Sequence, residues 1–174
     1  MRLALLALAL SAAPLAGQAA PNAAPDPLAV FRQLIGEWEG EAWSMRPEGR
    51  VSIKQKEWIS TEAGGTMIVV RGLGVANING TERPVHQAFA VVHHNHERTG
   101  LMMRAFTAEG HWLDVDIVPA EKGYTWYMTD SRIGKIRYDM VLDAQGRWVE
   151  DGFFSRDEGK TWTQFMGMVL NKKP

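Results

Sequence analysis

LDVDIVPAEKGYTWYMTDSRIGKIRYDMVL, residues 113–142, is the stretch that decides the fold of this 174-residue chain. Apolar and polar residues alternate at both of its ends, in LDVDI and in IRYDM. Successive side chains of a β-strand point to opposite faces, so a period of two predicts strands with one apolar face. The pairs Lys122-Gly123 and Gly134-Lys135 are typical of the tight turns that join antiparallel strands. The stretch therefore predicts a meander of consecutive strands.

The same pattern extends over most of the chain. Glycine-bearing turn signals recur from Glu48-Gly49 to Glu158-Gly159, with short runs rich in Val, Ile, Trp, Tyr and Phe between them. No helical segment between them is long enough for a parallel crossover. We therefore predict an all-β domain of about ten antiparallel strands. A closed barrel is favoured over a two-sheet sandwich, because closure hides the strand edges and the turns are uniformly short.

The N-terminal residues indicate export. Arg2 precedes an apolar run that ends in small residues around Ala19, which is the pattern of a secretory signal peptide. We predict a signal peptide over residues 1–19, a linker over residues 20–27 (APNAAPDP) and one barrel domain over residues 28–174. The protein is expected to be periplasmic or secreted, with no membrane span in the mature chain. Because the chain has no cysteine, its core must be stable without disulfides.

The net charge argues against two classes of partner, nucleic acid and anionic membranes. The chain carries 19 basic and 20 acidic residues, and removal of Arg2 with the signal peptide leaves 18 against 20. A net charge this close to zero, without a run of basic residues, predicts no positively charged surface that would attract nucleic acid or an anionic membrane.

One short helix is predicted before the strands. Asp26 can cap it, Pro27 suits its first turn, and Gly36 lies where it should stop. Its apolar positions fall on one face, which we expect to pack on the core as a plug: Leu28, Phe31, Leu34 and Ile35.

Three segments carry a family resemblance. LIGEWEGEAW places Gly36 and Trp38 after the helix and at the head of the first strand, and RGLGVANINGTERPVHQAFAVV and FFSRDEGKTWTQFMGMVL continue the match. Together they resemble lipocalins, of the wider calycin superfamily, and in particular small bacterial lipocalin-like proteins known only as a domain of unknown function. The resemblance implies a barrel with a closed base, an open mouth and a lumen suited to apolar or amphipathic ligands. It gives Trp38 the role of closing the base beneath an arginine of the last strand, but the segment Thr163–Leu170 contains no arginine.

Residues 155–162, SRDEGKTW, fit the pattern S-x-D-x-G-x-T-W, known as the Asp-box of sialidases and related β-proteins. The pattern predicts a self-satisfied hairpin in which Asp157 accepts backbone donors, Gly159 takes a left-handed conformation and Trp162 packs beneath. It occurs once, which excludes a propeller of repeated blades. We interpret it as structural.

The histidines predict neither a metal nor a haem site. His93, His94 and His96 lie in one window, but neighbouring strand residues point to opposite faces and the spacing fits no zinc pattern. A solvated hairpin turn is the favoured interpretation. Nitrobindins, which are calycin relatives, hold haem through a histidine on a late strand. This chain has no histidine after His111, so no cofactor is expected, and His86 or Tyr138 would have to substitute as the iron ligand.

Five side chains are predicted to line the lumen and bind the ligand: Arg104, His86, Glu150, Trp126 and Tyr138. His86 has small strand neighbours, and a buried charge at Arg104 or Glu150 would need a partner or an oppositely charged ligand. Trp126 and Tyr138 would form an apolar wall. Because fatty-acid-binding calycins hold the carboxylate with lumen arginines, the resemblance gives Arg104 an anionic head group. The alternatives are a hydrogen-bonded core histidine at His86, a surface charge at Arg104 and ordinary core packing for the aromatic residues.

Catalysis has little support in the sequence. There is no G-x-S-x-G motif and no cysteine, and Asp114 and Asp116 are expected to face solvent. We therefore assign no catalytic residue and favour a small-molecule binding protein. The alternatives are a haem-dependent or isomerase-type enzyme using His86, Arg104 and Glu150, or a fully packed envelope interaction module without ligand. The oligomeric state stays open.

Overall fold

A computed structural model describes residues 26–95 and 100–174 of the chain. The predicted signal peptide, most of the linker and His96 lie outside the described residues. No helix within the described ranges is both long enough and apolar enough to cross a bilayer.

The described residues form ten strands that close into one antiparallel barrel. Each strand pairs with its sequence neighbours, and β1 pairs with β10 to complete the ring. The prediction of a closed all-β meander after one short helix is therefore confirmed, and the sandwich is wrong. The elements are α1 (Ala29–Arg32), β1 (Gly36–Arg46), β2 (Gly49–Glu62), a 3-10 turn (Ala63–Gly65), β3 (Met67–Ile78), β4 (Thr81–Asn95), β5 (Gly100–Thr107), β6 (Trp112–Ala120), β7 (Gly123–Asp130), β8 (Gly134–Leu142), β9 (Trp148–Ser155) and β10 (Thr163–Lys172).

The N-terminal segment seals one end of the barrel, which we call the base. Phe31 and Leu34 are almost fully buried, and the Phe31 ring stacks on Tyr124 at 4.5 Å. The helix begins at Ala29 after Leu28, which has no side-chain cap, so the predicted cap at Asp26 is wrong. A side-chain oxygen of Asp26 instead accepts a hydrogen bond from the backbone N–H of Leu28 at 3.0 Å, just before the helix. The helix is only four residues long. After it the backbone forms a tighter turn, in which the N–H of Leu34 donates a hydrogen bond to the carbonyl of Phe31, three residues earlier.

Trp38 completes the seal. Its indole N–H donates to the Leu34 carbonyl at 2.7 Å, and its ring meets Trp148 edge-on at 5.8 Å. The ammonium nitrogen of Lys172, near the end of β10, lies 5.5 Å from the centre of the Trp38 ring. A lysine of the last strand thus occupies the place over the ring that the resemblance assigns to an arginine, and it contributes a cation–π contact there.

The hairpin between β9 and β10 has the predicted self-satisfied structure. The Asp157 carboxylate accepts hydrogen bonds from the Ser155 hydroxyl at 2.8 Å and from the backbone N–H and hydroxyl of Thr161 at 2.9 and 2.7 Å. Gly159 has a positive φ of 93°, which other residues rarely adopt. These bonds to the ionised form lower the pKa of Asp157 to about 2.

Truncation of the plug should weaken the whole barrel. We expect Phe31→Ala to lower the free energy of unfolding by about 3 to 5 kcal/mol, because it removes a buried ring and leaves a cavity against Tyr124. Urea unfolding followed by circular dichroism measures this difference. The control is Tyr127→Ala, whose side chain is exposed on the outer wall and which should change stability by less than about 1 kcal/mol. Equal losses in both variants would contradict the plug role.

The Asp157 turn should be sensitive to acid. Because the folded-state pKa of Asp157 lies below its unfolded value, its ionised form stabilises the fold above about pH 4, and this contribution is lost as the pH falls towards 2. Asp157→Ala should therefore have a lower Tm than the wild type at pH 7, with the difference shrinking towards pH 2. Thermal unfolding at several pH values tests this, and a Tm difference independent of pH would contradict it.

Candidate functional site in the barrel lumen

Four of the five predicted ligand residues face the lumen. Trp126 and Tyr138 are directly opposite each other on β7 and β8, and their rings stack at 4.1 Å. Glu150 lies opposite the buried Met140, which places it on the inner face of β9. His86 shares the inner face of β4 with Ala90 by alternation and lies near the mouth, the end opposite the base. The strand order therefore brings residues from four strands, β4, β7, β8 and β9, to one interior.

Arg104 is the exception, and its predicted place in the lumen is wrong. Met103, its strand neighbour, is buried, so Arg104 points outwards. Its guanidinium makes two hydrogen bonds of 2.6 Å to Asp114 and lies over the exposed Trp112 ring at 5.4 Å. The side chain is 54% exposed. Arg104 therefore belongs to an outer-wall ion pair and cannot hold a head group inside the barrel, whereas the prediction that Asp114 faces solvent is confirmed.

The structure adds a buried acid that sequence reasoning missed. Glu57 on β2 is 6% exposed, and its carboxyl accepts a hydrogen bond of 2.7 Å from the side-chain amide of Gln55. The signal was present in the sequence, because Gln55 and Glu57 occupy the same phase of β2 as the apolar Ile53 and Ile59. Two polar residues in the apolar phase of a strand indicate a polar position in the core.

Glycines on the adjacent strand make room for this pair. Gly72 and Gly74 of β3 lie opposite Glu57 and Gln55. A Cβ at Gly72 would come within 2.8 Å of a Glu57 carboxyl oxygen, and one at Gly74 within 2.6 Å of the Gln55 side-chain oxygen. Both distances are shorter than those of real Cβ contacts. A larger residue at either glycine would therefore displace the Glu57 or Gln55 side chain.

Burial sets the protonation of the two lumen acids. Loss of water raises the pKa of Glu57 to about 8, while the hydrogen bond from Gln55 works in the opposite direction and the Glu150 charge adds to the rise. Burial likewise raises the pKa of Glu150 to about 7, partly opposed by the hydrogen bond from the Trp148 indole at 3.1 Å. Near neutral pH, Glu57 is therefore mainly protonated, and Glu150 holds a proton more readily than an exposed carboxyl group does.

Glu150 is one of several inward-facing residues above the base that are only partly buried. Protein surrounds it deeply enough to raise its pKa, yet the residue keeps solvent-accessible surface, as Tyr138 and Trp126 do beside it. At the base, by contrast, Trp38 and Trp148 are each only 2% exposed. The interior is thus packed most tightly at the helix end, and the inner residues above it, among them Trp126 and Met166, pack against the same core with more of their surface exposed.

His86 lies at the mouth end of this interior. Its Cβ is 3.1 Å from the position of a Cβ on Gly74, so it lies next to the Gln55 side chain. Solvent reaches the ring, while the surrounding wall excludes enough water to lower the pKa of His86, an effect that the carboxylate of Glu109 opposes. A mainly neutral imidazole at neutral pH can donate or accept a hydrogen bond at the entrance.

The other histidines do not form a site in the described part of the chain. β4 extends to Asn95, so His93 and His94 end a strand rather than begin the turn, and they point to opposite faces, as predicted. Residues 26–95 and 100–174 contain no group of three or more potential metal ligands placed to hold an ion. The late strands β8 to β10 carry no histidine that could ligate haem iron.

Comparison with known proteins supports the fold alone. No protein-family model matches the chain, and neither does any curated protein. Among solved structures, the crystal structure of Rv2717c from M. tuberculosis is similar, with a TM-score of 0.60 and 12% sequence identity over 87% of this chain and 99% of that chain. At this identity, the likeness shows a shared barrel architecture.

The buried acids should make the barrel less stable as the pH rises. Glu57 keeps its proton in the folded state up to about pH 8, but loses it above pH 4.5 when unfolded. The folded state thus binds more protons in this window, and stability should fall from pH 5 to pH 8 by on the order of 4 kcal/mol from this group. Glu57→Gln keeps the size and should flatten the dependence, as measured by urea unfolding at each pH. Glu41→Gln, on the exposed face of β1, is the control and should retain the wild-type slope.

Proposed function

We propose that this chain is an exported β-barrel protein that binds a small apolar or amphipathic molecule in its lumen. One observation carries the proposal: inward-facing residues above the base, among them Trp126, Tyr138 and Glu150, are only partly buried, whereas Trp38 and Trp148 at the base are closed off from solvent. A concave, largely apolar interior with a few convergent polar groups is the usual form of a small-molecule site.

The chemistry of the wall supports this choice of ligand. Stacked Trp126 and Tyr138 form an aromatic surface, and Phe165 meets Tyr138 edge-on at 5.8 Å. These three side chains are only half-buried although they face inwards. Aromatic surface left accessible inside a barrel gains free energy when an apolar ligand covers it, at roughly 25 cal/mol per Å². The polar groups at Glu57, Glu150 and His86 would orient the ligand.

Ligand binding should be blocked by filling the lumen. Ala88 faces inwards on β4 next to His86 and is only half-buried, so Ala88→Phe would place a ring in the path from the mouth. We expect the variant to bind the neutral apolar probe N-phenyl-1-naphthylamine at least tenfold more weakly, which is about 1.4 kcal/mol. Fluorescence titration measures this. Ala120→Phe, at an exposed position, is the matched control, and the proposal fails if the wild type does not bind the probe or if both variants bind it equally.

Export can be tested separately from ligand binding. The signal peptide pattern predicts that the mature protein begins near Ala20 and is found in the periplasm or outside the cell. N-terminal sequencing of the protein recovered from fractionated cells checks both points. Replacement of Leu5 and Leu6 by Asp should retain the full-length precursor in the cytoplasm, because it interrupts the apolar run. Recovery of the uncleaved wild-type chain from the cytoplasm would contradict the assignment.

A further inference from the structure

The outer wall of β3 to β6 carries a continuous row of side chains. Four residues, which we call the aromatic row, follow one another in the register of these antiparallel strands: Arg71, Phe89, Phe106 and Trp112. The ring centres of Phe89 and Phe106 are 6.4 Å apart, and the Arg71 guanidinium lies 5.9 Å from the centre of the Phe89 ring. The four positions alternate along their strands with inward-facing residues, so the row lies on the outside of the barrel.

The rings of the aromatic row are open to solvent. Trp112 is 62% exposed, and Phe89 and Phe106 are 38% and 40% exposed. These fractions amount to roughly 300 Å² of aromatic surface. A contiguous apolar patch of this size on the outside of a barrel is typical of an interaction surface. Further outward apolar residues continue the patch along the same strands: Met67, Val69, Val91 and Met102.

The two ends of the aromatic row differ in chemistry and complement each other. At the β3 end, Arg71 is exposed and has no ion-pair partner among residues 26–95 and 100–174. At the β6 end, the Trp112 ring contacts the Arg104 guanidinium at 5.4 Å and still keeps most of its surface open, so a second cation can approach it. Arginine over a tryptophan face is a favourable cation–π pair. The row thus carries both halves of such a contact, one at each end.

A two-fold axis brings unlike ends of two such rows together. In an isologous dimer the same patch of both copies forms the interface, and each contact occurs twice. An axis that runs between β4 and β5, parallel to the strands, places β3 of one copy over β6 of the other. Because the four residues share one register row, Arg71 of one copy then faces Trp112 of the second copy, and Phe89 faces Phe106. The aromatic row is therefore complementary to itself.

We propose that the outer wall of β3 to β6 is the interface through which two copies of this chain form a dimer. A second copy is the partner that matches both ends of the aromatic row at once, because each copy supplies the cation for the ring of the other. The barrel wall is convex, so the contact is confined to the patch, and the buried area falls at the low end of the range for specific interfaces. We therefore expect a dissociation constant of about 10 µM. The inference is independent of the ligand proposed for the lumen.

Sedimentation equilibrium of the mature protein tests the dimer. Between about 1 and 300 µM, the mean mass should rise from that of the monomer towards twice that value. Phe106→Lys puts a charge at the centre of the aromatic row and should weaken the dimer at least tenfold. The control is Tyr127→Lys, at an exposed outer position on β7 beyond the row, which should dimerise as the wild type does. A wild type that stays monomeric throughout, or equal dimerisation of both variants, would overturn the inference.

An exchange of the two ends identifies the pairing. Trp112→Arg sets arginine against Arg71 of the second copy at both ends of the interface, and this variant should be mainly monomeric. Arg71→Trp supplies the missing rings, so a mixture of the two variants regains both cation–π contacts. Labelled Trp112→Arg should therefore bind Arg71→Trp at least tenfold more tightly than it binds itself, as measured by sedimentation velocity. Circular dichroism checks that both variants are folded, and a mixture no more dimeric than Trp112→Arg alone contradicts the proposed pairing.

Discussion

The pairing of β1 with β10 is the constraint on which the rest of the structure depends. Seven residue pairs, from Trp38 opposite Lys172 to Ser44 opposite Met166, join the two ends of the meander. Closure satisfies the backbone groups that an open sheet would expose at its edges. It also gives every strand an inner and an outer face, so the phase of each strand decides which side chains reach the lumen. Glu57 and Glu150 are distant in sequence, and both face the interior for this reason.

The fold could be predicted from the sequence because its signals are local. A period of two between closely spaced turns identifies strands, and the apolar positions Leu28, Phe31 and Leu34 ahead of Gly36 identify the plug. The site was harder to predict, because alternation shows which residues share a face and not which face points inwards. Arg104 shares its face with Met102 and Phe106, and an apolar face predicts the lumen, yet this face lies outside. The outer wall exposes Phe89, Phe106 and Trp112, and hydrophobicity alone therefore does not distinguish the two sides.

The two ends of the barrel have different physical character, and the chain order explains why. The segment before β1 lies at the base, where α1 places Phe31 against Tyr124 and Trp38 against Trp148. At the other end, the strands are joined by turns of two to seven residues, and no helix lies there in the described part of the chain. Packing is therefore complete near the base and looser towards the mouth. The accessible inner residues lie in the looser part, and a ligand entering from the mouth would meet His86 first.

Glu57 and Glu150 make the barrel less stable than it could be at neutral pH. An apolar residue at position 57, like Ile53 and Ile59 in the same phase of β2, would need no proton and no amide partner. Instead, the Gln55 amide donates a hydrogen bond to Glu57, and β3 has glycine at Gly72 and Gly74, which leaves room for these two side chains. When a sequence otherwise follows the rules of strand patterning and core burial, its exceptions occur mainly at functional sites. This cost in stability lies on the inner wall, close to the partly buried Trp126 and Tyr138, and it is the reason to place the ligand there.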